Sequence, residues 1–449
     1  MATVTREVRP EYDAVVIGGG PAGTTFAHLL RRAGHAVLLV ERGRHPRFSV
    51  GESLLPATMP LWRRLGVAER FEKAGFVRKY GAYFCFEDGA RPEYSHFPNA
   101  SRHIADHAYE VRRAEFDQIL WDRALETGLD ACDETPVEEV IVEGGRAIGV
   151  RLRLADGRPA AVRARLVADC SGRSTLIGRQ LAVRDRDPRL QRVALYCHYD
   201  DAIRSTGEDA GTIGVVATPF GWMWLIPFAG GGASVGAVIQ RTWFSERRRA
   251  GRDNDAIWSE ILALVPAVSR RLSGAVQTRP VEATADFQYR LRDLAGDGWV
   301  AIGDAGAFLD PVFSSGVHLA MTGAERASHA ASRALAAGRL PVARDFSRYA
   351  RQSRAELAVY ARFIYAWYDP AFREVFMRPP QGKAAVDWLR REIVSVLAGA
   401  VTPTWRVLPA IGTLLLLARL RRRSLARQAP RGTRGEAQPR SRSDTAAPA

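Results

Sequence analysis

Lysine is almost missing from this 449-residue chain: of 64 Lys plus Arg, only Lys73, Lys79 and Lys383 are lysine and 61 are arginine. Where a bare positive charge suffices the sequence uses arginine, so a retained lysine points to a need for a primary amine. Cysteine is also scarce. Cys85, Cys132, Cys170 and Cys197 lie far apart, with no CxxC pair and no metal-ligand spacing, which excludes a disulfide scaffold and predicts reduced thiols and no metal site. The N-terminus, MATVTREVRPEYD, lacks the apolar run of a signal peptide, and the expectation is a cytoplasmic protein. LPAIGTLLLLARLRRR, from Leu408 to Arg423, is the longest apolar run near the C-terminus. It falls short of the roughly 20 residues that cross a bilayer. It reads as a docking helix or, with Arg421–Arg423, a weak membrane-surface anchor, so no transmembrane segment is expected.

Charge of one sign is present, but unevenly. The net charge is +15, and from Arg419 onward nine arginines face only Glu436 and Asp444, a net +7 that leaves +8 on the rest. The basic excess therefore belongs largely to a tail without apolar periodicity, and it does not argue for a nucleic-acid partner.

The strongest positive signal is a βαβ unit. YDAVVI (Tyr12–Ile17) is an apolar strand leading into GGGPAG, where Gly18, Gly20 and Gly23 have GxGxxG spacing and Ala22 lies between the last two. Phe26, Leu29, Leu30 and Ala33 then recur at helical spacing, Gly34 ends the helix, and AVLLVER from Ala36 gives a second strand ending at Glu41 and Arg42. Such glycines allow a tight turn and close approach of a pyrophosphate to the helix N-terminus, while Glu41 stands where an acid binds ribose hydroxyls. The fingerprint occurs once. With no second, nicotinamide-binding unit, the nucleotide is expected to be FAD, reduced by another protein.

Later segments extend this site. VAIGDAG (Val300–Gly306) is a strand ending at Asp304, placed to accept a ribityl hydroxyl. FLDPVFSSGV follows, and the amides near Ser315 and Gly316, opening an alanine-rich helix, make an anion-friendly pocket through free N–H groups and the helix dipole. The competing account is that they serve only the flavin pyrimidine oxygen. A β-meander over residues 137–170 ends in DCSGRS, another backbone approach to the cofactor. Arg113 opens the helix RAEFDQIL, either at the flavin edge or in a surface salt bridge.

GWMWLIP (Gly221–Pro227) places Trp222 and Trp224 two residues apart on a strand, hence on one face. They form either core or a pocket wall, and the indole N–H groups call for partners in both cases. Leu357, Tyr360, Ile364, Trp367 and Tyr368 form a helical stripe, read first as core and second as a cavity roof.

In this order, GGGPAG, GESLLP (with Glu52 and Ser53), RAEFD and GDAGAFLDP resemble the flavin monooxygenase superfamily, in its geranylgeranyl-reductase-like branch. GWMWLIP is similar to the WxWxIP signature of flavin-dependent halogenases, and Lys79 in GFVRKYGAYF falls where those enzymes have their catalytic lysine. The resemblance covers about residues 13–337. It implies an α/β fold with a Rossmann-type βαβ FAD module, spanning 1–345 with a mixed β-sheet inserted at about 190–290. A helical region over 346–425 and a disordered basic tail over 426–449 would follow. It further implies that Gly18, Gly20, Ala22, Gly23, Glu41, Arg42, Glu52, Ser53, Arg113, Asp304, Pro311, Gly316 and Val317 hold FAD, with halide at Ser315 and Gly316. Reduced FAD and oxygen would give a flavin hydroperoxide, chloride or bromide would become hypohalous acid, and Lys79 would deliver the halogen. Trp222 and Trp224 would keep the organic substrate from the hydroperoxide. The alternative within the fold is a hydroxylase or reductase without halogenation. Tryptophan halogenases carry a glutamate where this chain has Phe313, which favours the branch acting on phenols, pyrroles and carrier-bound acyl groups. The implied partners are a separate flavin reductase and an acyl- or peptidyl-carrier protein.

Overall fold

The computed structural model describes residues 8–428 apart from 103, 182, 286, 379–383 and 403, so Lys383 and the expected tail from 429 onward lie outside the described residues, while 426–428, expected in that tail, end the helix Thr404–Gln428. Five strands lie side by side and parallel in the order Trp299–Ala301, Pro159–Asp169, Glu11–Ile17, Val37–Val40, Asp130–Cys132. By chain position this is 5-4-1-2-3, the doubly wound arrangement. The strands are continuous apolar runs because both faces are covered: Ala14, Val15, Val16 and Val37–Val40 are all buried. The first helix, Pro21–Arg32 (α1), packs against Arg113–Leu125 (α2) and against Gly316–Ala336 (α3). Small residues on α3, Ala320, Ala324, Ala327 and Ala331, are buried in this core.

Strand order reverses between Glu11–Ile17 and Pro159–Asp169, where Ile17 pairs with Asp169. Ligands of such sheets bind in the crevice beyond the strand C-termini at this reversal. Three chain segments leave the sheet there: Gly18–Gly20, Cys170–Ser174 and Gly303–Ala305.

The second large sheet is mixed and differs from the expected insertion in one respect. Its neighbours run Arg192–Asp200, Ala233–Gln240, Gly221–Pro227, Ile213–Thr218, then Gly81–Phe86 and Glu93–His96. The last two come from outside 190–290. Gly81–Phe86 joins by parallel pairing, Ile213 with Ala82 through Ala217 with Phe86, which gives its buried apolar run GAYFCF a ladder partner.

Period-two alternation then divides the sheet's side chains. Trp222, Trp224, Ile226 and Tyr196 face one apolar cluster, whereas Met223, Leu225, Leu195 and Cys197 face another with Ile257, Trp258 and Ile261. The first cluster is closed by Ser347–Trp367 (α4), Pro370–Met377 (α5), Ala384–Leu397 (α6) and Thr404–Gln428 (α7). The apolar run near the C-terminus is thus a docked helix: Val407, Ala410, Ile411, Leu414 and Ala418 are buried, and Arg421 pairs with Glu374 at 2.6 Å. Among the described residues no helix is long and apolar enough to cross a membrane.

Candidate active site

One cavity of about 1760 Å³ begins at Gly18, Gly20 and Ala22, passes Asp304 and Ser315–Val317, and reaches Trp222 and Trp224. A single small-molecule pocket is typically roughly 300–1,000 Å³. The space therefore suits a dinucleotide together with a second ligand.

The cradle at its inner end is backbone against backbone. Gly18 has φ +105°, and a Cβ there would meet the Cys170 carbonyl oxygen at 2.4 Å; at Gly23 it would meet the Gly18 oxygen at 1.8 Å. Gly20 is open, with only an Arg47 nitrogen at 3.5 Å. Gly23 therefore stands behind the cradle and locks it, while Gly18, Gly20 and Ala22 face the cavity. α1 begins at Gly20 without a side-chain cap, and α3 begins at Ser315 without one. Two helix N-termini thus offer free N–H groups to the same cavity, a donor set suited to pyrophosphate and to an anion.

Glu41, at the end of the second parallel strand, accepts from Gly19 N at 2.7 Å and Gly43 N at 2.9 Å and pairs with Arg47 at 3.2 Å. Against the upward push of burial, Arg47 and the Gly43 and Gly19 amides hold its carboxyl below the ordinary value. Arg42 lines the cavity and donates to Ser174 Oγ at 3.1 Å. Asp304 is pushed up to about 6 by burial, opposed by Arg173 and Arg113. Arg113 makes a buried bidentate pair with Asp117 (2.8 and 2.9 Å) and donates to Val50 O at 2.7 Å. It is not a surface salt bridge: it lines the cavity, and by its bond to Val50 O it pins the turn that carries Gly51, Glu52 and Ser53. Pro311 opens a short turn ending in Ser314, whose φ of +54° is rare for a residue with a side chain. This turn aims Ser315, Gly316 and Val317 at the cavity.

Trp222 and Trp224 line the far end with ring centroids 5.8 Å apart. Both indoles find partners: Trp224 Nε1 donates to Ser234 Oγ at 3.1 Å and Trp222 Nε1 to Tyr368 Oη at 3.2 Å. Tyr368 in turn donates to Asp310 at 2.5 Å, linking the aromatic wall to the Pro311 turn. Gly236 faces Trp224 across the ladder, and a Cβ there would lie 2.2 Å from the indole. The stripe on α4 is shared between the two readings: Leu357, Tyr360 and Ile364 line the cavity, while Trp367 packs inward against Phe84, Phe313 and Phe376.

Lys79 is 1% exposed and does not itself line the cavity. Its Nζ donates to Ser53 Oγ at 2.7 Å and Leu54 O at 3.1 Å. Ser53 and Glu52 do line it, so Ser53 stands between the lysine and the open space. Burial drives the ammonium below its ordinary value, with Glu110 opposing. Glu110 is a site residue that the sequence does not single out, because one polar residue in apolar surroundings leaves no periodic trace. Asp310 lies in the FLDP motif and Tyr368 in the helical stripe, but their hydrogen bond joins elements 58 residues apart and is visible only in the structure.

The tryptophan halogenase family profile matches residues 13–105 and 87–376. The chain belongs to the flavin-dependent halogenases. The 1H-pyrrole-2-carbonyl-[peptidyl-carrier protein] brominase of Pseudoalteromonas luteoviolacea is 31% identical over 395 residues, 86% of this chain and 92% of that one. The tryptophan 2-halogenase of Chondromyces crocatus is 33% identical, over 79% of this chain and 67% of that one. The solved structure of the flavin-dependent brominase Bmp2 superposes with TM-score 0.78 at 27% identity, covering 93% of this chain and 99% of that chain. This halogenase therefore uses FAD, halide and oxygen, and the glycine cradle with its two uncapped helix ends fits such a cofactor.

Proposed function

We propose that this halogenase transfers halogen through Lys79 to a phenolic or pyrrolic intermediate of natural-product assembly, free or tethered to a carrier protein. What carries the reading is the single cavity running from the glycine cradle to the tryptophan pair, with Ser53 and Lys79 on its flank. FAD, when bound and reduced, supplies with oxygen the two-electron oxidation that turns halide into hypohalous acid. Gly18, Gly20, Ala22, Glu41 and Arg42 hold its nucleotide half. Asp304, Pro311, Gly316 and Val317 hold the flavin half together with Glu52, Ser53 and Arg113, which line the same cavity, and Arg113 also fixes the turn of Glu52 and Ser53. Halide sits at the N–H groups of Ser315 and Gly316, where the helix dipole favours an anion. Lys79 receives hypohalous acid either by hydrogen bonding from its ammonium or, as the amine, by forming a chloramine with loss of water. Trp222 and Trp224 separate the organic substrate from the flavin. Reducing equivalents come from a separate NAD(P)H-dependent flavin reductase, because the chain has one dinucleotide fingerprint.

Relatives act on a carrier-bound pyrrole and, by name, on tryptophan, so family membership leaves the substrate open. Phe313 disfavours tryptophan. It is 4% exposed and packed against Phe363 and Trp367, so no carboxylate is available at that position. The basic folded surface also suits an acidic carrier through electrostatic steering. Free tryptophan, a free phenol or pyrrole, and the same ring on a carrier protein, assayed side by side, test the reading. Halogenation of the phenol or pyrrole at least about tenfold faster than of tryptophan, a difference of about 1.4 kcal/mol in the barrier, is expected. Efficient halogenation of free tryptophan would overturn the substrate assignment.

A further inference from the structure

The turn carrying Ser53 runs beside the Ala108–Glu110 strand. Leu54 N donates to Tyr109 O at 3.0 Å, Val111 N to Glu52 O at 2.7 Å, and Ser53 faces Glu110 across an antiparallel bridge. On the other side of that strand, Val77–Lys79 pairs Lys79 with Ala108 and Val77 with Glu110. Lys79, Glu110 and Ser53 consequently share one face, as diagonal and direct cross-strand neighbours. Lys79 Nζ donates to Ser53 Oγ at 2.7 Å, and Ser53 Oγ donates to Glu110 Oε1 at 3.1 Å. Lys79 and Glu110 are each 1% exposed, and Glu110 Oε2 has no hydrogen-bond partner among the described residues. A lone charge so deeply buried is costly, and two opposite ones bridged by a hydroxyl compensate each other.

We propose that Lys79 and Glu110 share one proton through Ser53, which makes Glu110 the positioning residue that sets the charge of the halogen-transfer lysine. This rests on the reading of Lys79 given above. The step balances within the triad: a Lys79 N–H proton passes to Ser53 Oγ while the Ser53 hydroxyl proton passes to Glu110 Oε1. Ammonium and carboxylate become amine and carboxylic acid, and neither needs solvent. Burial lowers Lys79 and pushes Glu110 up to about 8, so the two groups titrate closer together than in water. Of the surrounding charges, Glu52 pushes Glu110 further up; its Oε1 lies 3.0 Å from His198 Nε2 without a hydrogen bond between them. Arg78 and Tyr109 turn to Glu72, and Asp209 on the adjoining 207–211 turn faces His96.

Three lysines in the sequence make the test direct. The full chain labelled with [ε-¹³C]lysine gives three signals, and the one lost in Lys79→Arg is Lys79. Glu110→Gln removes the counter-charge, so the Lys79 midpoint is expected to fall by about one pH unit or more. Glu110→Asp, which keeps the charge, is expected to recover most of that shift. The limb of the halogenation pH profile that titrates with Lys79 moves to lower pH in step. An unmoved midpoint in Glu110→Gln, or equal shifts in Gln and Asp variants, would overturn the proposal. If Glu110→Gln does not fold, Ser53→Ala decides: loss of the acceptor lowers the midpoint if the bridge is real and leaves it if not. Full halogenation by Lys79→Arg would instead sink the reading of Lys79, whatever the titration gives.

Discussion

Lys79→Arg is expected to lose halogen transfer by about a hundredfold or more, roughly 2.7 kcal/mol of barrier, while oxidation of reduced FAD by oxygen continues. The substitution keeps positive charge and removes the simple amine, and a planar guanidinium cannot reproduce the compact ammonium that reaches both Ser53 Oγ and Leu54 O. The site is fully buried, so the larger head also crowds it. Lys79→Met, of similar length and without charge, controls for crowding. Both variants should retain FAD, and both should release oxidised FAD without halogenated product. Full activity in either would remove Lys79 from the reaction.

Gly23→Ala should abolish FAD binding, lowering affinity at least about a hundredfold (about 2.7 kcal/mol). The added methyl would sit 1.8 Å from the Gly18 oxygen. Gly18 has little room to give way: even a Cβ on it would lie 2.4 Å from the Cys170 carbonyl oxygen, and its φ is +105°. Gly20→Ala is the informative companion, because its methyl meets only the end of the Arg47 side chain at 3.5 Å. That variant should fold, and its loss of affinity reports the approach of the pyrophosphate alone. Equilibrium titration with FAD separates the two, and wild-type affinity in Gly23→Ala would contradict the packing argument.

The cradle was legible because its signal is local. Glycine spacing, two apolar strands and a terminal acid all lie within 31 residues, from Tyr12 to Arg42. The tryptophan wall was legible for a similar reason, since period two alone puts Trp222 and Trp224 on one face. The parallel joining of Gly81–Phe86 to Ile213–Thr218 was not, because a pairing across so much chain leaves no local mark. Nor was Glu110. Its partner Ser53 is 57 residues away, and one buried carboxylate in AYEV resembles any exposed glutamate of a short strand. Arg113 was half legible: the sequence left it between the flavin edge and a surface salt bridge, and its buried bidentate clasp on Asp117 at the cavity wall needed the helical turn to be built.

Halide incorporation tests the central claim most directly. Purified protein, FAD, NADPH, oxygen, bromide and a panel of phenols and pyrroles, with and without a separate flavin reductase, are analysed by mass spectrometry. The paired isotope peaks of bromine should appear in an organic product only when the reductase is present. A hydroxylated product without bromine, or rapid NADPH oxidation by the protein alone, would contradict the account.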